Sequence, residues 1–254
     1  MENLELNDTI EPYRNFRDEK NARTYLAQMP LVIADNRIPL SVANLMERRL
    51  HAGKSAVAWK DNYFDTGDGI AYNAGGSKFK IVLDSQDLRK VTPQTEPKNG
   101  ALVLGDGIYE QLQGQEFTRS DLKSLLERDL SADEVKAHPV WKALARDDAL
   151  LTEYTDTMFA EMKTRFTYDT AMGLYLASGE KVPTLRAACV VGLGVGSRFV
   201  GRGLLDYVDW RLVGVAPEAL NAPGKAIVRP SLESALFTVN EHLYRGKFEL
   251  RAKE

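Results

Sequence analysis

Asn62-Tyr63-Phe64-Asp65-Thr66-Gly67-Asp68-Gly69-Ile70-Ala71-Tyr72 is the stretch whose reading decides the fold. Within it, Thr66-Gly67-Asp68-Gly69 has the composition of a turn, since aspartate and glycine accommodate turn geometry at little cost. On that reading Asn62 to Gly69 is a polar hairpin loop, and Ile70-Ala71-Tyr72 is a short strand after it. Ala74-Gly75-Gly76 supplies a second turn, followed by Lys78-Phe79-Lys80-Ile81-Val82-Leu83. There Phe79, Ile81 and Leu83 alternate with Lys78, Lys80 and Val82, the period of a strand with one buried face. With Ser55-Ala56-Val57-Ala58-Trp59 as a strand upstream, the segment predicts a small antiparallel meander.

Further upstream, Tyr13, Phe16 and Leu26 recur at loosely helical spacing. Leu31-Val32-Ile33-Ala34 reads as a buried strand closed by Asp35-Asn36. Ser41 is placed to cap a helix whose apolar face is Val42, Leu45, Met46 and Leu50, with Gly53 as its stop. Downstream, Val91-Thr92-Pro93-Gln94-Thr95-Glu96-Pro97-Lys98-Asn99-Gly100 is polar and carries two prolines, the composition of a linker. Beyond it helical signals dominate. Ser131-Ala132-Asp133-Glu134 has capping-box spacing, and a longer helix opens at His138-Pro139. Trp141, Leu144, Leu151, Tyr154, Met158, Met162 and Phe166 line one side of that helix. Met172 to Leu176 and Arg211 to Val215 are strand candidates, and a last helix from about Pro230 carries Leu232, Leu236, Val239 and Leu243. The expectation is an α+β protein with a small antiparallel sheet and helices in residues 1–91. A linker over 92–100 follows, then a mainly helical part over 101–254 that packs with the first or stands apart.

The composition is ordinary for a globular chain of 254 residues: 44% hydrophobic, 27% charged, net charge −3. Collagen-like, disordered and disulfide-scaffold classes are thereby excluded. Charge is balanced over residues 1–100, acidic over 101–161 and mildly basic over 162–254. No dense basic cluster forms, so nucleic acid is not an expected partner. The one cysteine, Cys189, excludes an internal disulfide and a cysteine-cluster metal site. Set among alanines and valines, it reads as a buried structural thiol. No leader-like segment opens the sequence, and its most apolar window is about half the roughly 20 residues of a membrane span. The expected setting is soluble and cytoplasmic, without membrane association.

Two constellations carry possible chemistry. Val190-Val191-Gly192-Leu193-Gly194-Val195-Gly196-Ser197 resembles the glycine-rich fingerprint of dinucleotide- or S-adenosylmethionine-binding folds, in which backbone N–H groups at a helix N-terminus receive phosphate. Gly192, Gly194 and Gly196 are then ligand-binding candidates. Arg198 and Arg202 join them as phosphate-pairing side chains, within a wider arginine set that includes Arg186 and Arg211. Ser197 takes the place of the third small residue of the pattern, and Gly201 and Gly203 weaken any helix after it.

Phe64-Asp65-Thr66-Gly67-Asp68 resembles the aromatic-x-Thr-Gly-Asp signature of adenylate-forming enzymes, and Asp65-Thr66-Gly67 that of aspartic proteases. The first resemblance implies a ribose-holding aspartate and the second a catalytic carboxylate. Each covers a handful of residues. Read from the residues alone, Asp61, Asp65 and Asp68 are candidate oxygen ligands for a hard cation such as Mg²⁺ or Ca²⁺. His51, His138 and His242 have no helical i, i+4 histidine partner, so zinc-protease spacing is absent.

No catalytic constellation emerges, while apolar stripes are abundant. The sequence therefore predicts a non-catalytic binding or assembly protein that recognises another macromolecule, a protein partner or a second copy. The alternative is a divalent-metal-dependent enzyme acting on a phosphate-bearing substrate through Asp61, Asp65 and Asp68.

Overall fold

The segment read as a polar loop is the central strand of the sheet. The computed structural model describes residues 12–17, 23–51 and 56–217. Among these, Phe64–Tyr72 is one nine-residue strand, β3, buried along its whole length. Its glycines serve packing, not turning. A Cβ on Gly67 would lie 2.8 Å from Pro39 Cβ, and one on Gly69 would lie 2.8 Å from Leu185 Cδ1. Both are places where neighbouring chain comes too close for any side chain.

Before β3 in the chain come β1 (Tyr13–Asn15), α1 (Tyr25–Ala34), β2 (Ile38–Pro39), α2 (Val42–His51) and α3 (Ala56–Asp61). After it come β4 (Lys78–Val82), α4 (Gln86–Arg89), β5 (Leu102–Val103), α5 (Ile108–Gln111) and β6 (Gln115–Thr118). The remainder is α6 (Ala132–Ala137), α7 (Pro139–Ala145), α8 (Asp148–Phe166), β7 (Leu174–Tyr175), β8 (Thr184–Val190), β9 (Phe199–Val200) and β10 (Arg211–Val215). All ten strands belong to one mixed sheet with the path β1-β10-β3-β8-β9-β7. β2 adds to β10, β4 to β3, β6 to β4 and β5 to β8. The β10–β3 and β7–β9 pairs are parallel, and the others antiparallel. The register of β3 against β8 shifts between Asp65 and Gly69, where Asp65 faces Cys189 and Gly69 faces Ala187.

This corrects the expected architecture of a small N-terminal sheet followed by a mainly helical part. The sheet dominates, and residues after 100 contribute six of its strands, β5 to β10. Strands from both sides of the expected linker 92–100 pair directly, β3 with β8 and β4 with β6. Leu31 to Ala34, expected as a strand, lies in α1. Ser55 to Trp59, also expected as a strand, falls largely in α3. Such short apolar runs fit either structure, and tertiary packing decides. The strand at Lys78, the strand at Arg211 and the α2 helix form where expected, and Ser41 Oγ accepts the Asn44 N–H. The alternation expected at Lys78 does not hold, since Lys80 and Val82 are buried and Leu83, just past the strand, is 40% exposed. The capping box is also present, with Ser131 and Glu134 each receiving the other's backbone N–H. The long helix is split in two, since Arg146 adopts φ 63° and Asp147 caps α8 through the Leu150 N–H. The helix expected from Pro230, and His242 with it, lie outside the described residues.

On one part of the sheet Ala71, Leu185, Ala187, Cys189 and Leu212 meet Tyr25, Met29 and Val32 of α1 and Leu88 of α4 in a shared apolar core. α2 and α7 also contact the sheet, and α8 packs on α2, α6 and α7.

Arg49, wholly buried in α2, ties these layers together. Its Nε donates to Trp59 O at 2.9 Å, and Nη1 to Tyr154 Oη and Ser197 Oγ at 3.0 Å each. Nη2 donates to Asn62 O at 3.3 Å and Val191 O at 3.1 Å. Every N–H of the guanidinium is thereby used. Replacing Arg49 with methionine keeps the approximate volume but leaves buried oxygens unpaired. The expected loss is about 3–5 kcal/mol, seen as a lower urea midpoint with an unchanged slope.

Candidate functional site

Residues 191–210 leave β8, form β9 on the way and return as β10. This excursion contains all five ligand-binding candidates from the glycine-rich stretch. Gly192 sits against α3, where a Cβ would lie 2.4 Å from Asp61 O. The chain then makes one 3₁₀ turn over Leu193–Val195. The N–H groups of Val195 and Ser197 donate to Gly192 O, and that of Gly196 to Leu193 O. Gly194 O accepts the Tyr168 hydroxyl at 2.9 Å, and Gly196 adopts φ 82°. Strand β9 follows, so the context is strand–turn–strand where a fingerprint expects strand–turn–helix.

Arg198 and Arg202 do converge, on a tyrosine ring. Their guanidinium carbons lie 5.3 and 5.5 Å from the Tyr175 centroid. Arg198 also forks onto Asp129 at 2.8 and 2.6 Å. Arg186 is instead buried. It donates to Glu180 Oε1 at 2.8 and 3.2 Å, to Asn99 O at 3.0 Å and to Gly203 O at 3.2 Å. Arg211 donates to Asn62 Oδ1 at 3.0 Å.

Beyond β9 the excursion is held from beneath through its backbone. The Tyr72 hydroxyl donates to Gly201 O at 2.7 Å, and the Leu205 N–H to Gly100 O at 2.8 Å. Leu205 O accepts the Leu26 N–H at 3.3 Å. Gln28, wholly buried, donates to Trp210 O at 3.1 Å and accepts the Leu212 N–H at 2.9 Å. Outward stand Arg202, Leu204, Asp206, Tyr207 and Asp209, with Leu204 and Tyr207 each 45% exposed. The half-buried Trp210 meets the Tyr63 ring edge-on at 6.2 Å. Sequence reasoning missed this face. Its signal was modest: a non-periodic Leu204–Trp210 run with two aromatics, bounded by glycines and a strand.

The three candidate metal ligands are engaged separately. Asp61 Oδ2 takes Arg165 Nη2 at 2.6 Å. Asp68, wholly buried, accepts the N–H groups of Val42 and Asp84 at 2.8 and 3.0 Å and Arg146 Nη2 at 2.6 Å. Burial and the nearby Asp84 carboxylate push its pKa up, against the downward pull of Arg146 and the two N–H groups, and the net direction is upward. With three donors facing its two oxygens, the geometry suits the ionised form, and it places that charge at the N-terminus of α2. Asp65 accepts the Cys189 thiol at 2.9 Å. Burial pushes the thiol upward, so it stays protonated and donates. Among the described residues, no group of three or more His, Cys, Asp or Glu side chains is gathered to hold a metal ion.

Burial also pushes the Asp65 carboxyl up to about 7, against a smaller downward pull from Cys189. An unfolded aspartate titrates near pH ~4. Between these values the folded state retains a proton that the unfolded state has released. The stability this provides is full below about pH 4 and is lost as pH rises to about 7. Relative to an Asp65→Asn variant, wild-type unfolding free energy should therefore fall from pH 4 to pH 7 and flatten above. The total fall is on the order of 4 kcal/mol at most. Denaturant titrations of both proteins across that range measure it, and a difference that does not change with pH would refute it.

No protein-family model and no curated protein sequence matches the chain. A solved structure does, described as "Accommodation of massive sequence variation in Nanoarchaeota by the C-type lectin fold". The similarity has a TM-score of 0.59 at 15% identity and covers 82% of this chain and 99% of that one. The large mixed sheet thus belongs to an overall architecture similar to the C-type lectin fold.

Proposed function

We propose that this chain is a recognition protein that binds another macromolecule, a protein surface, through the 201–210 segment. The observation that carries the reading is a division of labour within that segment. Backbone oxygens of Gly201, Gly203, Leu205 and Trp210 accept anchoring bonds from Tyr72, Arg186, Leu26 and Gln28, and the Leu205 N–H donates to Gly100 O. Leu204 and Tyr207 project outward with much of their surface bare. Tyrosine, tryptophan and arginine are the side chains that most often dominate binding energy, and here Tyr207, Trp210, Tyr63 and Arg202 occur together in and beside one segment. A segment fixed before contact loses little conformational entropy on binding, which favours affinity.

The neighbouring fold supports the same reading. Its description speaks of massive sequence variation in Nanoarchaeota accommodated by that fold. Within the segment Gly201, Gly203 and the buried Leu205 are fixed by close packing, while the outward positions 202, 204, 206, 207 and 209 are the ones at which exchanged side chains would be tolerated. Among the described residues, no helix is long and apolar enough to cross a membrane.

Tyr207 replaced by a photo-crosslinking amino acid, in an extract of the cells that make the protein, tests the proposal. The expected result is a discrete adduct that unmodified protein competes away. Leu204→Ala with Tyr207→Ala should weaken that competition by about tenfold or more. The same probe at Glu153, exposed on α8, should give no such adduct. Equal adducts at both positions, or none at Tyr207, would count against the reading.

A further inference from the structure

Residues 98–103 begin a hairpin that stops after one rung. Asn99 and Gly100 form its turn with φ 52° and 72°, the left-handed pair that a tight two-residue connection requires. Lys98 and Ala101 then exchange both N–H···O bonds, at 2.9 and 3.1 Å. Successive residues of a strand direct their backbone groups to opposite edges. Leu102 and Leu104 are turned to β8, where Leu102 faces Leu185 and the Leu104 N–H donates to Pro183 O at 3.0 Å. Val103 therefore points its N–H and C=O to the other edge, where Glu96 would form the next rung. That rung is not made. The upstream arm is diverted by a turn of its own, in which the Thr95 N–H donates to Thr92 O and the Thr92 N–H to Thr95 Oγ1, each at 2.9 Å. Among the described residues, no hydrogen bond answers Val103 at this edge.

A cavity of about 290 Å³ lies between the open arms, lined by Thr95 on one and by Leu102, Val103 and Leu104 on the other, with Val91 and Ile108. We infer that β5 accepts an extended segment of another protein as an added strand at Val103, with one large apolar side chain of that segment in the cavity. A strand supplies, from a single residue, both an acceptor for the Val103 N–H and a donor for its C=O. A bare edge carrying an exposed apolar residue, here Val103 at 41%, is a template for such pairing. The cavity is at the floor of the roughly 300–1,000 Å³ range of small-molecule sites, and its size suits one side chain. Asp87 and Lys90 on its wall pair with each other at 3.3 Å. Glu96 and Asp106, next in the chain to the lining residues Thr95 and Gly105, are exposed and have no ion-pair partner among the described residues. A basic residue beside the apolar one therefore completes the match. The same hairpin supports the recognition segment, since Gly100 O accepts the Leu205 N–H at 2.8 Å. That one partner bears on both places rests on the binding function proposed above; the strand site itself does not.

Selection of a phage-displayed library of random linear peptides on the full chain tests the site without a natural partner. The expected result is a peptide family with one leucine, phenylalanine or tryptophan beside a lysine or arginine, among β-forming residues. Val103→Pro removes the edge N–H. Gly105→Leu adds bulk at the cavity wall, where a Cβ meets Ile108 Cγ1 at an ordinary 3.6 Å. Each should raise the Kd of a selected peptide about tenfold or more, with the circular dichroism spectrum unchanged. Should Val103→Pro fail to fold, Gly105→Leu and a peptide N-methylated at the amide facing Val103 O carry the test, with the same expected loss. Tyr207→Ala should leave the affinity unchanged. No enriched peptide family, or peptides whose affinity neither hairpin variant moves, would overturn the inference. The peptides read β5 and crosslinking at Tyr207 reads the recognition segment, so either proposal can fail alone.

Discussion

Buried polar side chains hold the layers of the fold in register, and the guanidinium of Arg49 is the chief of them. Its five N–H groups reach oxygens on α3, on the entry to β3, on α8 and on both sides of the 3₁₀ turn after β8. All five acceptors are neutral. The charge is therefore stabilised by dipoles and by the Phe64 ring, whose centroid lies 5.8 Å away. A buried ion held this way stabilises only in the one arrangement that satisfies every donor. It acts as a registration device: a shifted α8 or a re-routed turn would leave a buried N–H without an acceptor.

The same principle recurs outward from that hub. Arg186, neutralised by Glu180, captures the carbonyls of Asn99 and Gly203. Gln28 captures Trp210 and Leu212, and Asp68 receives the first N–H of α2 together with Arg146. Each of these side chains bonds to backbone far away in sequence. The sheet supplies the platform, β3 and β8 at its centre, and the buried polar groups set the loops on it. Residues at the loop surface are thereby released from structural duty, the condition under which a surface can be devoted to recognition.

How much of this was legible follows from where the physics is local. The capping box at Ser131, the Ser41 cap, the presence of a strand at Lys78 and the apolar setting of Cys189 depend on near neighbours, and all were readable; which side chains of that strand are buried was not. Thr66-Gly67-Asp68-Gly69 was not. Glycine and aspartate there answer to Pro39, Leu185, Val42 and Arg146, contacts that only the folded chain brings together. With that strand read as a loop, the sheet lost its centre and shrank to a meander. Leu31-Val32-Ile33-Ala34 misled through composition, since an apolar run after proline suits a strand as well as a helix with an uncovered face. Of the candidate site, the convergence of Arg198 and Arg202 was legible as a possibility. Arg49 was not, because in Glu47-Arg48-Arg49 nothing distinguishes the buried arginine from the one beside it.

The central claim is that backbone anchoring makes the 201–210 segment as firm as the sheet beneath it. Native-state hydrogen exchange at the amides of Gly201 and Leu205, which donate to Tyr175 O and Gly100 O, tests this most directly. The account predicts protection within about tenfold of the β3 amides, as expected when a loop opens only together with its scaffold. Exchange at both amides near the rate of an unstructured peptide, with β3 still protected, would contradict it.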